Sequence, residues 1–379
     1  MRPPTRELNL QRPATLAGVC YPADAQKLVQ YVRRFWDAPG GAIWGAAAKE
    51  SGAPAPAATH YLGVIAPHID LRVAADAYSH AFDTLRTQPP ADTYLILGVG
   101  HHAMVEWSMD VFGYETPLGH IPCNVAAVKE IVEAVALETP QAAELLMDTQ
   151  AHAREHSIEF PLICLQAMRA LGACASAPPL PVTETKTRKR GKKAAATVQA
   201  GSAPTAESPE KPDPPPSPHP PFTFIPILCG GLHRELRSGK APGPRTLLGA
   251  LARALRGYLD TAAARGERVH IITSIDGCHQ GPRFDHDYLV TQEVLADTKE
   301  WEEELWGHFS AADFPAFFRF LARDCNERYF DGVGAMSLLL FMFGDKLRYH
   351  PACWRASFDP RDASAVSFSS GWLELADAR

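Results

Sequence analysis

Hydrophobic positions in this chain follow two patterns that alternate along its length. Short unbroken apolar runs at 62–66, 93–97, 222–228 and 269–274 predict strands buried on both faces of a sheet. Elsewhere apolar residues recur every three to four positions and predict helices over 23–36, 73–85, 125–136, 247–263, 288–309 and 312–322. A helix apolar all round is expected at 333–343. Another is expected to start in the stretch 155–159 and to run to about 171, with Pro161 in its first turn, where proline is tolerated. A further strand is expected at 109–114, and edge strands such as 365–369 in the tail. Strand, helix and strand over 62–97 form a βαβ unit, whose crossover makes its strands parallel neighbours. The pattern predicts an α/β fold: a single domain with a central mixed, mostly parallel sheet flanked by helices.

The strand ends carry the chemistry. The run at 62–66 stops at Pro67 and delivers His68 into a loop. The run at 93–97 continues into GVGHH and brings His101. The run at 269–274 opens into Ile275-Asp276-Gly277-Cys278-His279. Parallel strands end at one edge, where open α/β sheets place ligands. His68 and His101 are therefore expected side by side, with Asp331 arriving at the start of the helix at 333–343. Two imidazoles and one carboxylate form a facial triad with open positions, a set suited to nonheme Fe(II). His279, paired with Asp276, would serve as general base.

Each of these residues also has a plain structural reading. A histidine after a strand is often just hydrogen-bonded, and Asp331 would make a good helix cap. His102 competes with His101 as ligand. Glu155-His156-Ser157 either lines the site, making His156 a third catalytic candidate beside His279 and Asp276, or caps its helix with Ser157 and Glu159 exposed. Cys278 reads as a buried, inert thiol.

Composition narrows the class. The chain has 379 residues, 46% apolar and 21% charged, with a formal net charge of -6. That suits a globular protein with a substantial core and gives no general affinity for nucleic acid. The 8 cysteines form no CxxC pair, so free thiols in a reducing cytosol are expected. No signal-peptide apolar region opens the chain, and no apolar run approaches the roughly 20 residues of a membrane helix, so a cytoplasmic protein without membrane contact is expected. The stretch 173–221 is rich in Pro, Ala, Ser, Thr and Lys and cannot bury enough apolar surface to offset its ordering entropy. It reads as a disordered insert in a domain made of 1–172 and 222–379. Its basic run RKRGKK reads as a solvated loop in preference to a nucleic-acid or localisation signal.

The motifs IAPHID, LGVGHH, EHSIEFPL, FIPILCGG and SIDGCHQGPRF occur in this order. Together they resemble the Memo family, whose bacterial members are often labelled protein B of the AmmeMemoRadiSam system. The resemblance covers about 14–170 and 222–372. It implies a fold like that of the class III extradiol dioxygenases. It also implies that His68 and His101 belong to a metal site, and that Asp276 and His279 form its third loop, His279 acting as acid/base. The sequence departs from the family at Asp331-Gly332, where animal members carry a Cys-Gly pair whose cysteine is a ligand, and at PHID in place of PHAGY. Carboxylate in place of thiolate shifts the expected metal from copper toward Fe(II), with copper as the alternative. Cys325 is the alternative ligand if the alignment slips. Three readings follow: an Fe(II) oxygenase taking oxygen and a small aromatic or electron-rich substrate; a copper or iron redox protein without turnover; and a module binding a peptide or protein partner within a radical-enzyme system.

Overall fold

A computed structural model describes residues 11–41, 60–103, 105–140, 146–174 and 222–376. In chain order these form β1 (Gln11–Pro13), α1 (Ala25–Arg33), β2 (Tyr61–Ala66), α2 (Ala75–Thr87), β3 (Thr93–Val99), β4 (Trp107–Met109), β5 (Gly113–Thr116), β6 (Gly119–Ile121), α3 (Val125–Glu138) and α4 (His156–Cys174). After the expected insert come β7 (Thr223–Cys229), α5 (His233–Ser238), α6 (Leu247–Ala264), β8 (Val269–Ser274), β9 (His279–Gln280), α7 (Gln292–Ser310), α8 (Phe314–Ala322), α9 (Val333–Phe343), β10 (Leu347–Asp359) and β11 (Ser364–Leu375). The insert expected over 173–221 lies outside the described residues from 175 onward; 173 and 174 complete α4.

The main sheet has the order β10-β11-β2-β8-β3-β7-β4, with β9 pairing β11. Its centre, β2-β8-β3-β7, is parallel; β4 and β11 flank it antiparallel. The fold is mixed α/β, as the alternating pattern requires. Strand β3 shows why its run is unbroken: Leu95 and Leu97 enter the core under α3, α6 and α9, while Tyr94 and Ile96 enter the core under α1, α2 and α4. Each such side chain contributes about 1.5–3 kcal/mol on full burial.

Several expectations differ from the structure. Strands β2 and β3 are parallel but not neighbours, because β8 inserts between them. The single strand expected at 109–114 is two, broken at Asp110, a buried carboxylate that takes the Arg12 guanidinium. The chain there leaves the main sheet for a small one, β1-β5-β6. The tail strand β11 is interior; the edge is β10, whose polar alternation and Pro351 hid it. Pro161 sits six residues into α4, beyond the first turn.

Helix α4 packs tightly on β3. A Cβ at Gly98 would lie 2.5 Å from Ser157 Oγ, so only glycine admits the helix start there. Ser157 is buried and bonds both backbone groups of Val99, and Glu159 ties down Thr15, Leu16 and Tyr21. Neither is exposed, against the capping expectation. Among the described residues no helix is long and apolar enough to cross a membrane.

Candidate metal centre

Because β2, β8 and β3 are parallel, their carboxyl ends open at one edge, where His68, Asp276 and His101 follow them. His68 is buried. Its Nδ1–H donates to the Ser274 carbonyl at 3.0 Å, which leaves Nε2 facing the edge. His101 donates from Nδ1 to Glu155 Oε1 at 2.9 Å, and its backbone N–H donates to Glu155 Oε2 at 3.1 Å. A histidine whose second nitrogen is held by a carbonyl or carboxylate is oriented as metal-ligating imidazoles are.

Glu155 precedes α4, where the helix dipole favours negative charge. Burial pushes its carboxyl up, but the His101 bond and the nearby imidazoles outweigh it and hold it down at about 2. His156, first in α4, stacks on His101 with centroids 4.7 Å apart and stands edge-on to His68 at 5.1 Å. Burial, then the charges of His68 and His101, push its pKa down to about 3, so its imidazole is neutral.

The carboxylates arrive from the other side. Asp331 Oδ2 lies 3.1 Å from His68 Nε2 and Asp276 Oδ2 lies 3.8 Å from it. Asp331 does not cap α9, whose N-cap is Gly332 and receives no side-chain bond. Asp276 holds the His68 loop instead of His279: its Oδ1 accepts from the N–H groups of His68 and Ile69. Burial raises the Asp276 pKa, and Asp331 adds to that. Burial also works against the Asp331 carboxylate, but His68 wins and its pKa falls. Burial disfavours the His68 imidazolium, yet Asp276 and Asp331 together push its pKa up to about 10.

His279 lies beside this cluster, edge-on to Phe284, with Nδ1 3.2 Å from the carbonyls of both Gly277 and Tyr329. Among the described residues two ligand triples form, His68/His101/His156 and His68/Asp276/Asp331, each with donor atoms within 4.8 Å of one another. The expected trio of His68, His101 and Asp331 is thus divided between two triples that share His68. His102 is exposed and Cys325 lies against the Leu236 carbonyl; neither belongs to a triple. Cys278 is buried, and burial and Glu302 push its thiol pKa well up, so it is inert.

Nε2 of His68 and the Asp331 carboxylate are buried with no hydrogen-bond partner beyond each other, and meet as an ion pair without hydrogen-bond alignment. Polar atoms of this kind are costly unless something fills the space between them. Imidazole nitrogen and carboxylate oxygen converging there suit a divalent transition metal.

Residues 12–198 match the family model described as Memo-like protein. The chain belongs to the Memo-like family. A MEMO1 family protein of Aquifex aeolicus is 31% identical over 105 residues, 27% of this chain and 26% of the relative. One from Ignicoccus hospitalis is 28% identical over 159 residues, 41% of this chain and 52% of the relative. The matched stretches thus span about half or less of these curated relatives. In this Memo-like chain the family match covers the loops of His68, His101 and His156; Asp276, His279 and Asp331 lie beyond it.

Spacing does not mark Glu155 as the carboxylate behind His101. The available signal was an acid directly preceding His156 at a helix start.

Proposed function

We propose that this Memo-like protein is a nonheme Fe(II) oxygenase in which His68, His101 and Asp331 hold the metal and a small aromatic or electron-rich molecule is the substrate. The observation that carries the reading is the convergence of His68 Nε2 and the Asp331 carboxylate, buried, 3.1 Å apart and with no hydrogen-bond partner beyond each other. Bound Fe(II) would supply open positions for oxygen and substrate. The chain's own residues do the rest. The Ser274 carbonyl and Glu155 hold the two imidazoles in a ligating orientation. Asp276 fixes the backbone of the His68 loop. With Nδ1 facing two carbonyls, His279 keeps its proton on Nδ1 and presents Nε2 to accept one from a substrate hydroxyl. His156, kept neutral, accepts or donates a hydrogen bond beside His101 without adding charge.

A second reading, a copper-holding redox protein without turnover, is favoured by the three imidazoles of His68, His101 and His156, since imidazole also suits copper. Protein purified without oxygen, loaded with Fe(II) and given a panel of catechols on an oxygen electrode separates the two. Catechol-dependent oxygen uptake that His279→Ala removes while metal remains supports the oxygenase. No uptake with any catechol, and reversible one-electron reduction of bound copper, supports the redox protein.

A further inference from the structure

Between α8 and α9 the chain makes a short loop in which Cys325, Asn326 and Tyr329 have φ of 56°, 59° and 48°. Asparagine tolerates this left-handed region; cysteine and tyrosine rarely enter it. Asp324 Oδ1 accepts from the Asn326 N–H at 3.0 Å and His286 Nε2 bonds the Glu327 carbonyl at 2.8 Å, but the end that leads to Asp331 is closed by Asn326. Asn326, 4% exposed, donates from Nδ2 to the Phe330 carbonyl at 2.8 Å and accepts at Oδ1 from the Phe330 N–H at 3.0 Å. Its own carbonyl accepts from the Tyr329 N–H at 3.0 Å.

The segment closed in this way is stitched along the third loop of the site. The Arg328 carbonyl accepts from the His279 N–H at 2.9 Å, and the Tyr329 carbonyl accepts from His279 Nδ1 at 3.2 Å. The Asp331 N–H reaches the Gly277 carbonyl at 3.4 Å. Tyr329, itself in the left-handed region, supplies the carbonyl that faces the imidazole. The next residue but one is Asp331 itself.

We propose that Asn326 is a positioning residue that sets two groups at once: the Nδ1–H tautomer of His279, through the Tyr329 carbonyl, and the Asp331 carboxylate, through Phe330. The inference rests on the reading of His279 as proton acceptor, but it concerns the metal-free chain and is tested there. Asn326→Gly keeps the left-handed backbone and removes the amide. Asn326→Asp keeps the oxygen that accepts from Phe330 N–H and removes the donor to its carbonyl.

The test is the pair of ¹⁵N shifts of the His279 ring in the full metal-free chain at neutral pH, followed by Co(II) titration. The parent should show a protonated Nδ1 and a bare Nε2. Because the Gly277 carbonyl still faces Nδ1, Asn326→Gly should move the shifts part-way toward the Nε2–H tautomer. Asn326→Asp should give a smaller change in the same direction, and both should bind Co(II) about 10-fold or more weakly. Where Asn326→Gly fails to fold, the parent spectrum and Asn326→Asp carry the test. A parent with its proton on Nε2 overturns the proposal. So do folded variants that keep the parent's ring shifts and Co(II) affinity. Absence of oxygen uptake would contradict the oxygenase reading and leave the ring shifts as they are.

Discussion

His68 Nε2 and Asp331 Oδ2 stand 3.1 Å apart, both buried, without the alignment of a hydrogen bond. They come from opposite ends of the chain, one after the second strand and the other ahead of the last helix. With its proton His68 forms an ion pair with Asp331; once that proton is lost, two buried lone-pair atoms face each other and call for a shared cation.

That relationship makes metal affinity depend on pH. His68, pushed up to about 10, carries a proton at neutral pH in the metal-free protein. A ligand imidazole must lose it, so binding releases a proton. Affinity for Fe(II) or Co(II) should rise about 10-fold per pH unit between pH 6.5 and 8.5. Titrations at several pH values should give that slope; a flat profile would show that His68 is not a ligand.

Glu155 should matter to metal without touching it. It is the buried acceptor for His101 Nδ1, and Glu155→Gln removes the charge that orients and strengthens this ligand. Metal affinity should fall about 10–100-fold. Far-UV circular dichroism should stay unchanged.

Acid should destabilise the chain through two histidines far from these ligands in their bonding. Burial pushes His152 and His270 down to about 4. Both pKa values lie below that of the unfolded chain, near 6.5, where the unfolded state binds more protons. The stability from the neutral rings is therefore full above pH 6.5 and is lost as pH falls through 4. His68 acts oppositely: its contribution is full below 6.5 and lost as pH rises through about 10. His270 Nδ1 is buried without a partner beside Tyr61. His270→Phe should recover about 1–3 kcal/mol of the acid loss in urea melts between pH 6.5 and 4.5. An unchanged slope would contradict the buried-neutral assignment.

Gly98→Ala should loosen the start of α4 from β3. Its Cβ would meet Ser157 Oγ at 2.5 Å and Ile158 Cδ1 at 2.8 Å. A cost of about 1–3 kcal/mol is expected, and Ser157→Ala in the same chain should relieve only part of it, because Ile158 remains. Urea unfolding of the parent and the two variants checks this.

The parts of this fold legible in the sequence are those where one local pattern had one meaning. Strands β2, β3, β7 and β8 are buried on both faces, so each appears as an unbroken apolar run, and the loops that follow them carry His68, His101 and Asp276. The order of strands is set by long-range pairing, so the insertion of β8 between β2 and β3 left no local trace. Asp110 sits unmarked inside an apolar run because its partner, Arg12, is distant in sequence. Spacing pairs Asp276 with His279, three residues on; in space it grips the backbone of His68, 208 positions away. The division of ligand atoms into two triples follows from side-chain directions that spacing does not encode.

The most direct test of the account is metal analysis of three chains purified without oxygen and reconstituted with Fe(II): the parent, Asp331→Ala and Cys325→Ala. The account predicts one Fe(II) per parent chain and per Cys325→Ala chain, and loss of stoichiometric iron in Asp331→Ala with circular dichroism unchanged. An Asp331→Ala chain that holds iron as tightly as the parent would contradict it.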